Sequence, residues 1–359
     1  ENGTWSLTTA PLDDGFLTFV AEVTDQAGNT ATASVVVDDR IPAGVAGSPI
    51  NLALTDPSSG QATSPITLTL TGVPADWSLN EGTNLGNGTW TVETSDLSAL
   101  TVTTAATYTG AMVLNVTETW ANADGSIGTA TIADNVEAYA PGTPIFALSG
   151  NDTLTGASGN NEFVFAQPIG DDTIYNFNAA TDKIDLMGFA NIASFSNIQA
   201  ALTSDVNGNA VITLGAGETI TLEGVHAASL NAKDFQFNQD AATNNAGSMV
   251  VSDGAVLPLT GTIDNLGTIT LNSTGDHTEL QITGEGLAIE GGGKLMLSDS
   301  SANAILGTAS TSTLTNIDNT IAGAGQIGSG AGILTLVNQA HGTIDANVAG
   351  STLTLETGS

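Results

Sequence analysis

Oxygen-bearing side chains and glycines cluster in one stretch, Gly150-Asn151-Asp152-Thr153-Leu154. A similar unit follows directly, ending in Gly159-Asn160-Asn161-Glu162-Phe163, and a third turn is Gly170-Asp171-Asp172-Thr173-Ile174. Each places glycine, then an acid or amide, then an apolar residue two positions further on. Glycine lets the backbone turn without a Cβ clash. The carboxylate, the amide and the turn carbonyls are hard oxygen donors, the type that suits Ca2+. The chemistry on offer is therefore cation binding by turns, each joined to a very short strand. Asp182 and Asp185, which flank Ile184, are further oxygen donors; their other reading is that they fix the turn into the strand Lys183–Leu186.

Composition agrees with a cation-binding, strand-rich chain. The 359 residues predict two to four domains. The chain carries 37 acidic against 4 basic residues, a formal net charge of -33. That excludes nucleic acid and anionic membrane as partners, because both require Lys and Arg facing phosphate. It suits uptake of divalent cations; a high-salt habitat is the alternative reading. Thr beside Val, Ile and Leu favours strands, and Gly with Asn and Asp favours turns. There is no Cys, so an extracellular chain of this kind needs a staple other than disulfides, for which calcium is suited. No apolar run is long enough for a signal peptide or a membrane span. The chain begins at Glu1, inside what reads as a domain, and is expected to be a piece of a longer protein.

The elements that would carry these turns read as β throughout. In residues 1–40, Leu17, Phe19, Ala21 and Val23 alternate with Thr18, Val20, Glu22 and Thr24. After the turn Asp25-Gln26-Ala27-Gly28-Asn29, Ala31, Ala33, Val35 and Val37 alternate again, which predicts a hairpin. This segment resembles the end of a bacterial immunoglobulin-like repeat. The resemblance makes Asp25, Asp38 and Asp39 candidates for junction calcium; the other reading is a turn cap and a solvated pair. Residues 41–48 read as a linker. Residues 49–140 read as a complete β-sandwich, with Ile66, Leu68 and Leu70 and then Met112, Leu114 and Val116 on alternate positions. The stretch around Trp77 and Trp90 resembles repeats of giant bacterial adhesins. These two rings are read either as a carbohydrate platform or as packing residues.

Residues 141–238 carry the turns. Written against the nonapeptide Gly-Gly-x-Gly-x-Asp-x-apolar-x, Ala147–Thr155 matches at Gly150, Asp152 and Leu154, and Gly156–Val164 matches at Gly159, Asn161 and Phe163. This resembles the RTX family of type I secreted proteins. The run from Ile174-Tyr175-Asn176-Phe177 through Asp182 to Asp234-Phe235-Gln236-Phe237 resembles the secretion-target domain of RTX adhesins. In an RTX roll each unit is half a turn and one ion is shared between a unit and the next but one. The resemblance therefore implies one Ca2+ held by the Gly150, Asn151, Asp152 loop and the Gly170, Asp171, Asp172 loop, with Asn161 and Asp182 as further contacts. Asn161 stands where the family has Asp, and Ala147 and Leu148 replace both leading glycines. One good site of modest affinity, with at most a weak second, is the expectation, on the order of 10⁻⁴–10⁻³ M as in extracellular modules; the other reading is a calcium-free β-hairpin with degenerate repeats. A helix is expected near Ser196–Thr203, capped by Ser196, and a helical turn at Ser229–Asp234.

Residues 239–248 read as a polar linker. From 249 to 359, short strands with Gly, Asn and Asp turns recur about every twenty residues, the mark of a parallel β-solenoid that is expected to continue beyond Ser359. The segment resembles β-helix repeats of bacterial surface proteins. The expected architecture is an all-β multidomain chain: immunoglobulin-like sandwiches, a short calcium β-roll with a small α+β segment, and a parallel solenoid. The expected role is a secreted or cell-surface calcium-binding structural or adhesion segment that folds on calcium after export, without catalysis. Its expected partners are calcium and cell-surface glycans or other cells, without insertion into a membrane. The alternatives are a polysaccharide lyase or epimerase built on the β-helix and a passive spacer. His226, His277 and His341 show no metal-pair spacing, and the solenoid segment offers Lys294 but neither Tyr nor Arg for such an enzyme.

Overall fold

The computed structural model describes residues 16–24, 30–38, 40–56, 65–189, 191–237 and 242–358; for residues 16–38 it is the backbone alone that is described. The chain is mostly β, with a single α-helix among the described residues. Phe16–Thr24 pairs antiparallel with Thr30–Asp38 from Phe16↔Asp38 to Thr24↔Thr30, the hairpin that the alternation predicts. Asp25 and Asp39, and the side chain of Asp38, lie outside the described residues.

One sheet runs through the N-terminal body and on into the middle of the chain. Its order is Leu202–Ser204, Ala210–Gly215, Glu218–Leu222, Asp171–Tyr175, Asp152–Thr155, Ile41–Val45, Ile127–Tyr139, Gly110–Ala121, Ile66–Thr71, Thr89–Thr94, Thr83–Gly86. Ile41–Val45 joins the two halves, parallel to Ile127–Tyr139 on one side and to Asp152–Thr155 on the other. The linker expected at 41–48 is thus in part a central strand. In the N-terminal half the long hairpin Gly110–Ala121 with Ile127–Tyr139 faces a small sheet of Pro49–Asn51, Thr101–Thr103 and Ser78–Leu79. Leu68, Leu70, Val102, Leu114, Val116 and Val136 are buried in the shared core. These are the alternate positions of their strands, so period-two burial drives the pairing. Trp77 joins this core, edge-on to Tyr108 at 4.9 Å, and is 3% exposed. Its ring is a packing element and offers no face to a sugar.

In the middle segment the chain winds back and forth between two sheets and pairs parallel with its neighbours in each. Asp152–Thr155 and Asp171–Tyr175 lie in the long sheet; Ile145–Phe146, Glu162–Ala166, Lys183–Met187 and Phe235–Phe237 form the other. Ile145, Phe163, Leu154, Ile174 and Ile184, each fully buried, fill the space between. The α-helix spans Phe195–Ala201, and its N-cap is Ser194 rather than Ser196. The Ser194 and Ala193 positions are tied by Asn197, whose Oδ1 accepts from both. At Ser229–Asp234 there are two 3₁₀ turns, Ala227–Ser229 and Ala232–Asp234, the second with an Asn231/Asp234 capping box.

The C-terminal part is a stack of parallel strands that starts at Thr243–Asn245, inside the segment expected as a polar linker. Along one face the positions Ser248, Thr268, Lys294, Thr320 and Thr343 are in register from strand to strand. The opposite sheet runs through Val256–Asn265, Thr278–Glu290, Asn303–Gly307 and Ser312–Asn316. Buried asparagines bridge the levels: Asn245 Nδ2 donates to Asn265 Oδ1 on the next level, and Asn265 Nδ2 to Asn319 Oδ1 two levels on, both at 2.8 Å. Middle segment and stack share one continuous hydrophobic core, from Phe146 and Phe163 through Met249 and Leu257 to Leu334.

Candidate metal centre

The turns that join the two middle sheets stack in two columns. Three of them, those of Asp152, Asn161 and Asp182, use the acid or amide in the same way. Asp152 Oδ2 accepts the Leu148 N–H at 2.7 Å, Asn161 Oδ1 accepts Ala157 N–H at 3.2 Å, and Asp182 Oδ2 accepts Asn178 N–H at 2.9 Å. The side chain closes its own turn on the amide four residues earlier, which satisfies a donor that strand pairing leaves over.

Each column is then tied between levels. Asp172 Oδ1 accepts the backbone N–H of Asp152 at 2.7 Å, across 20 residues. Asp182 Oδ1 accepts from Asn161, its backbone N–H at 2.9 Å and its Nδ2 at 3.0 Å. Asp152, Asp172 and Asp182 are at most 3% exposed, and Asn161 is 8%. The structure therefore brings Asp152 together with Asp172, and Asn161 together with Asp182. The second pairing was not drawn from the sequence. Its signal is the spacing of the four residues, which alternates between the two columns.

The remaining expected residues sit beside the first column. Gly150 has φ +110°, which a residue with Cβ rarely adopts. Its carbonyl accepts the Gly170 N–H at 2.8 Å. A Cβ on Gly170 would lie 2.3 Å from Asn151 Oδ1 and 2.5 Å from the Gly150 oxygen. That close approach brings Asn151 Oδ1 to the Asp171 N–H, at 2.6 Å. Asp171 itself is exposed, and its Oδ1 accepts from Thr219 Oγ1 at 2.8 Å on the next strand. Asp185 is buried on the other sheet, where it accepts from Thr243 Oγ1 and from Gln236 Nε2; it points toward the start of the stack and away from the turn columns.

The donor set around Asp152 and Asp172 is oxygen throughout: two carboxylates, the Asn151 amide oxygen and the Gly150 carbonyl. Its chemistry fits a hard cation. The carboxylate oxygens that bind N–H groups keep further lone pairs for an ion. Among the described residues no three acidic or histidine side chains converge as a preassembled cage, so an ion here would be completed by backbone oxygens and water. The column of Asn161 and Asp182 has one carboxylate and is the poorer of the two.

His226, His277 and His341 belong to separate turns, preceding Ala227–Ser229, Thr278–Glu290 and Thr343–Asp345. His226 Nδ1 lies 3.0 Å from the Gly208 carbonyl. Among the described residues no helix is long and apolar enough to cross a membrane. No protein family, curated protein or solved structure matches this chain.

Proposed function

We propose that the chain is a segment of a secreted or cell-surface structural adhesion protein of the RTX type, stapled by Ca2+. The observation that carries this reading is the stacked pair Asp152–Asp172, two buried carboxylates joined level to level beside a glycine turn. In this reading the N-terminal body is an immunoglobulin-like sandwich, the middle segment a short β-roll, and the C-terminal stack a β-solenoid. Asp152 and Asp172 hold the ion, with Gly150, Asn151, Gly170 and Asp171 shaping the loops; Asn161 and Asp182 form a weaker second position. The ion supplies positive charge between the two carboxylates, and it locks adjacent levels of the coil.

Because Ca2+ binds the folded turns and not the extended chain, binding energy becomes folding energy. A chain exported in low calcium would fold on reaching the calcium outside the cell. Its role is mechanical and non-catalytic: it holds a contact surface, for glycans or another cell, at the end of a stiff β rod. The net charge of -33 and the lack of Cys support this reading.

The test is thermal unfolding followed by circular dichroism in calcium and in chelator. An affinity on the order of 10⁻³ M at about tenfold excess adds roughly 1–2 kcal/mol, a rise of a few degrees. Identical curves in the two conditions would overturn the calcium reading. Binding of the whole chain to glycan arrays or cells separates an adhesin from a spacer.

A further inference from the structure

A buried carboxyl lies where the N-terminal body meets the C-terminal stack. Glu137 is on the outer face of Ile127–Tyr139, next to the first strands of the stack, and is 2% exposed. The Ser252 hydroxyl, which follows the strand Ser248–Val251, donates to Glu137 Oε1. The Tyr139 hydroxyl donates to Glu137 Oε2 at 3.3 Å and reaches the Phe146 carbonyl at 3.2 Å. Three parts of the fold thus meet at one carboxyl: the N-terminal sheet, the start of the middle segment and the start of the stack.

The seam around it is tight. A Cβ on Gly247 would lie 1.8 Å from Thr143 Oγ1, and one on Gly110 would touch the Val250 methyls at 4.0 Å. The Ser149 N–H donates to the Val256 carbonyl at 3.0 Å. At 2% exposure the Glu137 carboxyl is withdrawn from bulk solvent.

We propose that Glu137 is a proton-operated latch: the seam between the N-terminal body and the C-terminal stack is closed with its carboxyl protonated and loosens when the carboxyl ionises. Hydroxyl partners suit both states, since Ser252 and Tyr139 donate to a carboxylate and accept from a carboxylic acid. They do not supply a counter-charge, and a buried carboxylate without one is costly.

Among the described residues, the other titratable groups that face Glu137 are the phenols of Tyr139 and Tyr108. Burial first, and the Glu137 charge second, push both upward, with Asp152 adding to Tyr139, so both stay neutral. Gly110–Ala121 presents Ala111 opposite Glu137, and Ile41–Val45 presents Ala43. Asp253, beside Ser252, turns its carboxylate to Thr274 and Asp276. The strand Thr30–Asp38, also packed on Ile127–Tyr139, is described by its backbone.

Burial pushes Glu137 from the usual 4.5 to about 7, against the opposing hydrogen bonds from Ser252 and Tyr139. With the seam open the carboxyl returns toward 4.5. The closed state therefore holds the extra proton between these values. The contribution of Glu137 to closure is complete below about 4.5, falls as pH rises to about 7, and is constant above that.

Hydrogen exchange of the whole chain at pH 5 and pH 8, in calcium held at one concentration and corrected for intrinsic rates, tests this. The amides of 247–256 should open roughly tenfold more, or beyond, at pH 8, with a midpoint near 7. Glu137→Gln, neutral at every pH, should stay protected at both. Equal corrected exchange in the unaltered chain at the two pH values would overturn the proposal, and so would a Glu137→Gln chain that keeps the full pH response. If Glu137→Gln does not fold, the unaltered chain and Ser252→Ala decide: Ser252→Ala should raise seam exchange most at pH 8, and an equal rise at both pH values would contradict the latch.

Discussion

Asp172 reaches one level down the coil and takes the backbone of Asp152: its Oδ1 accepts the Asp152 N–H at 2.7 Å, while Asp152 Oδ2 holds Leu148 at the same distance. One acidic side chain thus performs two tasks. It satisfies a buried amide, and it ties a second acidic side chain to the turn that carries the first. The two tasks separate by mutation.

Asp172→Asn keeps an oxygen for the Asp152 N–H and removes the charge. Its unfolding in chelator should stay close to that of the unaltered chain, while the calcium-induced rise is lost. Asp172→Ala leaves the buried N–H without its acceptor, and should lower stability in chelator as well, by about 1–3 kcal/mol. Urea unfolding of both variants, with and without calcium, reads the difference.

Gly170→Ala should be among the more harmful small changes. Its Cβ would meet Asn151 Oδ1 at 2.3 Å and the Gly150 backbone at 2.5 Å, which demands a backbone shift. A cost of about 1–3 kcal/mol is expected, together with weaker calcium binding. Gly275→Ala is the control, since nothing lies within 4 Å of that added Cβ; its midpoint should stay within about 0.5 kcal/mol of the unaltered chain.

Asn265 is fully buried and joins Asn245, the Lys294 carbonyl and Asn319. Asn265→Ala strands those partners at once and should destabilise the stack by about 1–3 kcal/mol. The loss should be independent of calcium, because the column of asparagines lies outside the turn columns. Calorimetric melting in calcium and in chelator checks both statements.

With a net charge of -33, the folded chain repels itself. Monovalent salt should raise the melting temperature by screening. At equal ionic strength calcium should raise it further, and magnesium less, since Mg2+ gives up its water reluctantly. A salt series with each ion measures the two contributions.

The parts of this fold that were legible in the sequence are those where burial alternates. Ile66, Leu68 and Leu70 announce their strand because the other face is polar. The hairpin of residues 16–38 is visible from the alternation of apolar residues in its sequence. Ile41–Val45 was not: Pro42 and Gly44 read as punctuation, and the strand exists because distant strands flank it on both sides. The start of the stack at Thr243 was hidden likewise, since Thr243-Asn244-Asn245 pairs with Ile263–Asn265, 20 residues further along the chain.

At the site, the glycine and aspartate pattern gave the Asp152–Asp172 pairing through the expected half-turn repeat. The Asn161–Asp182 column was missed because no glycine pair marks the turn at Asn178–Asp182. What marks it is the closure onto the amide four residues earlier, common to Asp152, Asn161 and Asp182. The side of Glu137 that meets Ser252 carries no local signal, as 115 residues separate them.

Direct calcium binding to the unaltered chain and to Asp152→Asn/Asp172→Asn, by titration calorimetry up to about 10 mM Ca2+, tests the central claim most directly. The account predicts saturable binding by the unaltered chain, with an affinity on the order of 10⁻⁴–10⁻³ M, and its loss in the double variant while the circular dichroism spectrum in chelator is kept. No saturable binding by the unaltered chain, or the same binding by both, would contradict it.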